Sequence, residues 1–155
     1  MKHLISRSLL LLVLLVVSAG AAMAQNPIRW RMTVKMTSAT EGVATLRAVV
    51  APGWHLYGFD LPEDGPRPTA INFDKSEGVV LKGALTPARK PLSVDDPMFG
   101  VRLSWWDADV TFTQKFKIKK GTTPRLEATV SYMGCNDQTC LPPKTESLVF
   151  TSFSK

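Results

Sequence analysis

Beyond residue 25 the chain is written in short alternating apolar runs, each broken off by Gly, Pro or Asp. That rhythm fits half-buried strands, whose successive side chains point to opposite faces, and no window after the first 24 residues carries helical periodicity. Trp30, Met32, Val34 and Met36 alternate with Arg29, Arg31, Thr33 and Lys35, which predicts a first strand with one buried face. Residues 43–51, 54–59, 69–73 and 79–84 predict further strands, and 101–106 with 110–119 read as a hairpin joined near Asp107-Ala108-Asp109. Residues 126–133 and 147–153 predict the last two. Prolines at 52, 62, 66, 68, 87, 91, 97, 124, 142 and 143 are expected between runs, where a missing N–H costs no ladder bond. The expected fold class is all-β, an immunoglobulin-like antiparallel β-sandwich. A small barrel is the alternative.

The first residues set the compartment. Lys2 and Arg7 precede an uninterrupted apolar run over 9–17, and Ala22-Met23-Ala24 supplies a small-x-small cleavage pattern. The run falls short of the ~20 apolar residues that a bilayer core requires. Residues 1–24 are therefore expected to be a signal peptide, with an uncleaved anchor as the alternative, and residues 25–155 to be one exported domain. No cysteine near the cleavage pattern offers a lipoprotein anchor. Losing Lys2 and Arg7 lowers the formal charge of +6 by two, to +4. Lys115, Lys117 and Lys119 alternate with Phe116 and Ile118, as on a solvated strand face. Nucleic acid is not an expected partner, since such a surface would cluster basic residues with stacking aromatics.

The chain carries two cysteines, Cys135 and Cys140, with four residues between them. Disulfides persist in oxidising compartments, so the leader and the cysteine pair support each other. Closing so small a loop is worth ~2 kcal/mol in the chain-entropy model, against ~4.7 kcal/mol for a loop of ~100 residues. A domain of this size should not need that staple, so a redox pair is the first reading and a structural disulfide the second. His55 is the histidine that remains after processing, and a closed zinc site wants four ligands. Neither a metal nor a cofactor is expected. Turn-rich Asn136-Asp137-Gln138-Thr139 and the stiff Pro142-Pro143 exit predict a hairpin with its sulfurs at the rim of the sandwich, outside the core and open to a partner thiolate.

Tyr132-Met133-Gly134-Cys135, a short acidic turn, then Cys140-Leu141-Pro142-Pro143 resembles the active-site hairpin of the N-terminal periplasmic domain of DsbD, a transmembrane thiol–disulfide reductase of Gram-negative bacteria. Pro52-Gly53-Trp54-His55-Leu56-Tyr57 is similar to that family's aromatic strand, and Asp95-Asp96-Pro97-Met98-Phe99-Gly100 to its cap loop. The resemblance covers essentially residues 25–155. It implies thiol–disulfide interchange with periplasmic thioredoxin-like proteins or disulfide isomerases, with a separate membrane thiol reductase as electron donor. It further implies that Cys140 forms mixed disulfides and that Cys135 resolves them. Met98 or Phe99 would cover the disulfide, Asp96 would begin the cap, and His55 and Tyr57 would line the site. The inter-cysteine loop holds four residues here, where the best-known members have five. The chain reaches Lys155 without a transmembrane segment or a thioredoxin-like domain, so a stand-alone protein is expected.

Blander readings stand beside these. The alternative function is a non-catalytic immunoglobulin-like binding module of the envelope, with the disulfide as a loop staple. Met98 and Phe99 could be ordinary loop packing, His55 a half-buried strand residue, and Asp137 a turn residue. Of Trp105-Trp106, one indole is expected inward and one outward.

Overall fold

Alternation along the chain decides which side chains meet. A computed structural model describes residues 26–153; the expected leader and its junction at Gln25 lie outside the described residues. The strands are β1 (Ile28–Met36), β2 (Glu41–Val50), β3 (His55–Tyr57), β4 (Ala70–Asn72), β5 (Val79–Pro87) and β6 (Leu92–Asp96). They continue with β7 (Val101–Trp106), β8 (Val110–Ile118), β9 (Leu126–Tyr132), β10 (Gly134–Cys135) and β11 (Lys144–Phe150). The described residues contain no helix. Three sheets form, in the orders β1-β2-β8-β5, β10-β3-β7-β6 and β11-β9-β4, with every pairing antiparallel.

The first sheet packs against the other two, giving the expected immunoglobulin-like sandwich. Its edges at β1 and β5 stay open, so no barrel closes. In β1, Ile28 and Trp30 are buried and Arg29 and Arg31 exposed, as a strand of period two requires. In β8, Lys115 and Lys117 face solvent while Phe112 and Phe116 are buried. Phe112 sits at the middle of the core, its ring centroid 5.7 Å from Trp30, 5.4 Å from Phe59 and 5.1 Å from Trp106. From the facing sheets, Leu56, Trp106, Leu126, Val130 and Tyr132 close the same core.

The second sheet is covered on both faces. Leu56 and Trp106 point into the main core, while Tyr57, Leu103 and Cys135 on the opposite face form a smaller apolar cluster. Gly134 permits this, because a Cβ there would lie 2.7 Å from Cδ1 of the buried Ile28.

Two expectations are corrected, and one strand appears that was not anticipated. Strands β7 and β8 do not form a hairpin: β7 pairs with β3 and β6, whereas β8 pairs with β2 and β5. Residues 107–109 carry the chain from one sheet to the other. The crossing is pinned by Asp109, which accepts from Arg47 at 2.7 Å and from the Val50 N–H at 2.9 Å, and by Arg89, which donates to the Ala108 carbonyl at 2.6 Å. Strand β6 had no expected counterpart, because its buried position is Asp96 and not an apolar residue. Pro87 lies inside β5 and not between runs; it closes an edge strand, where its missing N–H is tolerated. A register shift between Lys82 and Thr86 bulges the same strand, and the buried Gln114 side chain fills the gap by donating to the carbonyls of Lys82 and Gly83, both at 3.2 Å.

Phe112→Ala should destabilise the fold by about 3–5 kcal/mol in chemical denaturation, since the aromatic neighbours cannot collapse into the space. A loss under ~1 kcal/mol would contradict the packing described. Arg47, and then the Val50 N–H, hold the Asp109 carboxyl below its ordinary range. A depressed carboxylate stabilises the fold above its unfolded pKa, and that contribution is lost as pH falls through the lower folded pKa. Asp109→Asn should therefore cost at most ~1 kcal/mol at neutral pH, the pair being solvent-exposed, and the gap to wild type should close as the pH falls below ~4.

Candidate redox site

Strand β9 delivers the chain through Met133 to β10, where Gly134 pairs with Leu56 and Cys135 with His55. The turn that follows closes on its own Asn. The side-chain oxygen of Asn136 accepts from the N–H groups of Gln138 at 2.9 Å and Thr139 at 2.8 Å, and the Asn136 N–H donates to the Thr139 carbonyl at 2.9 Å. Leu141 N–H then donates to the Gly134 carbonyl at 3.0 Å. Cys135 and Cys140 end opposite each other, joined by a disulfide with Cα atoms 4.1 Å apart.

The two sulfurs are unequally placed. Cys135 is 0% exposed, within the cluster of Tyr57, Leu103 and Met133, and Cys140 is partly exposed at its edge. The expectation that both would lie at the rim is thus corrected for Cys135. Its strand is not a free hairpin arm but pairs with β3, and that pairing draws it under the cluster.

A tight turn over 96–100 covers this edge. Buried Asp96 organises it: one carboxylate oxygen accepts from the Met98 N–H at 2.8 Å and the Phe99 N–H at 3.0 Å. Gly100, at φ 67°, donates to the Asp96 carbonyl at 2.8 Å, so the turn ends in the left-handed region that favours glycine. The turn sets Met98 Sδ 3.7 Å from Cys140 Sγ. Met98 is itself 47% exposed, so this sulfur–sulfur contact lies at the surface. Phe99 turns inward, edge-on to Tyr57 at 6.3 Å.

Beneath the turn, β3 supplies His55 and Tyr57. The imidazole stacks on Trp105 at 4.2 Å and meets Tyr57 edge-on at 5.0 Å. Burial lowers the His55 pKa, opposed by the charges of Asp96, Asp137 and Asp107. The Tyr57 hydroxyl lies 3.4 Å from the second Asp96 oxygen, and burial first, then the Asp96 charge, raise its pKa well above the ordinary phenol value. A cavity of about 30 Å³ is lined by His55, Tyr57, Asp96, Met98, Trp105 and Asp137. A groove of about 690 Å³ opens beside the cysteines, with Trp54, Val50, Leu141 and Pro142 as apolar walls and Arg29 and Lys144 among its lining.

All seven residues singled out in the sequence, Cys135, Cys140, Asp96, Met98, Phe99, His55 and Tyr57, converge in this one region. Trp105 and Asn136 were not singled out for it. The opposite parity of Trp105 and Trp106 was legible, but the partner of the outward indole depends on Tyr57 pairing with Trp105, a long-range register. Asn136 could have been found as a side chain positioned to close a turn on the backbone two and three residues ahead.

The family described as "Thiol:disulfide interchange protein DsbD, N-terminal" matches residues 23–152. Among solved structures, the N-terminal periplasmic domain of ScsB from Proteus mirabilis aligns with a TM-score of 0.58 and 20% identity, covering 84% of this chain and 49% of that one. The DsbD N-terminal domain of Neisseria meningitidis, in the reduced form, aligns with a TM-score of 0.53 and 14% identity, covering 87% of this chain and 93% of that one. This chain thus spans about half the length of the ScsB chain, and at these identities the structures establish a common fold. No curated protein matches it. The match over residues 23–152 and the shared fold, together with a cysteine pair bonded beneath its covering turn, mean that the chain belongs to the family of the DsbD N-terminal domain.

Proposed function

We propose that this domain works in the periplasm as a thiol–disulfide interchange protein, passing electrons to or from thioredoxin-like proteins or disulfide isomerases through Cys135 and Cys140. The observation that carries the reading is the inequality of the two sulfurs: one wholly buried, the other partly exposed with a methionine against it. Attack on a disulfide needs a clear line to one sulfur, and burial of the other decides which one leaves.

In the inbound direction a partner thiolate attacks Cys140 Sγ. A partner–Cys140 disulfide forms, the Cys135–Cys140 bond breaks, and its electron pair stays on Cys135 as thiolate. The partner's second thiolate then attacks the partner sulfur of the mixed disulfide and frees Cys140. Two electrons have moved, the partner is oxidised and the domain is reduced. In the outbound direction Cys140 attacks a partner disulfide, and Cys135 resolves the mixed bond by attacking Cys140. A separate membrane thiol reductase is the proposed electron donor. Met98 serves as an adaptable apolar lid on Cys140, held by the Asp96 turn.

Cys135→Ser should accumulate a mixed disulfide through Cys140 with a thioredoxin-like protein, read by mass spectrometry after alkylation. Equal capture by Cys140→Ser, or capture by neither variant, would favour the binding module with a structural staple, and Cys140→Ser would then lose only ~2 kcal/mol of stability. A reduction potential well below about −300 mV in glutathione buffers would also mark an inert bond. Met98→Ala should speed reduction of the disulfide by dithiothreitol several-fold without changing the folded spectrum. An unchanged rate would remove Met98 from the role of lid.

A further inference from the structure

His55 holds a position that the exchange scheme leaves unused. It stands directly opposite Cys135 in the β3–β10 pair. Opposed residues of an antiparallel pair raise their side chains from the same face, with Cβ atoms about 4.5–5.5 Å apart. The imidazole is only 7% exposed, and its Nε2 has no hydrogen-bond partner while the disulfide is intact. Buried polar nitrogens are rarely left so. Its ring is clamped, stacked on Trp105 at 4.2 Å and edge-on to Tyr57 at 5.0 Å.

We propose that His55 is the proton acceptor linked to opening of the disulfide, neutral opposite the intact bond and protonated opposite the Cys135 thiolate. The inference rests on the exchange reading of this site. When a partner thiolate attacks Cys140, the breaking S–S bond leaves its electron pair on Cys135, and the proton that the partner thiol gave up is taken by the imidazole. Over the full cycle the partner dithiol loses two electrons and two protons. The two electrons reduce the disulfide; one proton ends on the Cys140 thiol and the other on the imidazolium–thiolate pair.

The surroundings set this balance. The charged groups acting on His55 are Asp96 from the covering turn, Asp137 from the inter-cysteine turn and Asp107 after β7, while Tyr57 beside it is held in its neutral form. These carboxylates favour the imidazolium, and burial opposes them and prevails while the disulfide is closed. A further negative charge on Cys135 reverses that order. The pairing also stabilises Cys135 as a leaving thiolate, which speeds exchange, and it offsets Asp96 and Asp137, whose charges disfavour that thiolate.

The chain has two histidines, His3 and His55, so the imidazole can be followed by NMR through pH in the oxidised protein and in the protein reduced with excess dithiothreitol. The His55 midpoint should lie below ~6.5 when oxidised and rise by ~1–3 pH units on reduction. Equal midpoints in the two states would overturn the proposal. In parallel, the rate of reduction per dithiothreitol thiolate should increase as pH falls through the His55 range in wild type. It should be flat in His55→Phe, which keeps the ring on Trp105, and in His55→Gln, which keeps a polar group without titration. Variant profiles that follow wild type would also overturn it. Both measurements use a small-molecule reductant, so failure of Cys140 to capture a thioredoxin-like partner is a separate result and bears on the shuttle role alone.

Discussion

The disulfide depends on a strand of three residues that is buried on both sides. Leu56 is fixed in the main core beside Trp106, and the same strand must then turn His55 and Tyr57 to the other face, where the cysteines lie. Period-two geometry makes this obligatory: no register of β3 keeps Leu56 in the core and moves the aromatics elsewhere. Pairing with β10 carries the constraint to Cys135, and Gly134, next to it in the chain, has no side chain because Ile28 occupies that space. The stability of the sandwich is thereby spent on placing one sulfur. Cys135 is held on a paired strand and fully buried, Cys140 lies partly exposed beyond it, and the chemistry proposed for the site needs that difference.

The covering turn follows another logic. Its fold is local, made by one carboxylate that accepts two backbone N–H groups and by one glycine in the left-handed region. Asp96 and Phe99 anchor it to Tyr57, while Met98, 47% exposed, is the part of the turn that reaches out over Cys140. A methionine is suited to such a lid, being apolar, soft toward sulfur and tolerant of small displacements.

What could be read from the sequence divides along the same line. Strand positions were legible because burial of one face writes itself into alternation, as in Trp30 to Met36 and in the lysines of β8. Pairing was not. The alternation of 101–106 and 110–119 is the same whether two strands form a hairpin or enter facing sheets, and the decisive contacts of Asp109 and Arg89 come from β2 and from the segment after β5. Strand β6 was missed because its inward residue is an acid that serves the turn. The depth of Cys135 was missed because it follows from pairing with a strand 80 residues earlier in the chain, Cys135 against His55. The site residues themselves were legible through a family resemblance carried by short motifs, and the seven fall together because those motifs meet on one face of one sheet.

The bulge in β5 has a consequence of its own. That strand is the last of its sheet and carries exposed Val80 and Leu81, at 43% and 42%, the kind of margin on which a second molecule could lay down a new strand. The register shift between Lys82 and Thr86, a left-handed Gly83 at φ 68° and a terminal Pro87 break its outer row of donors and acceptors into stretches too short to serve as a template. Gln114 meets part of the hydrogen-bonding cost from within. Of the two open edges of the first sheet, the one at β5 is thereby made a poor template for pairing with another chain.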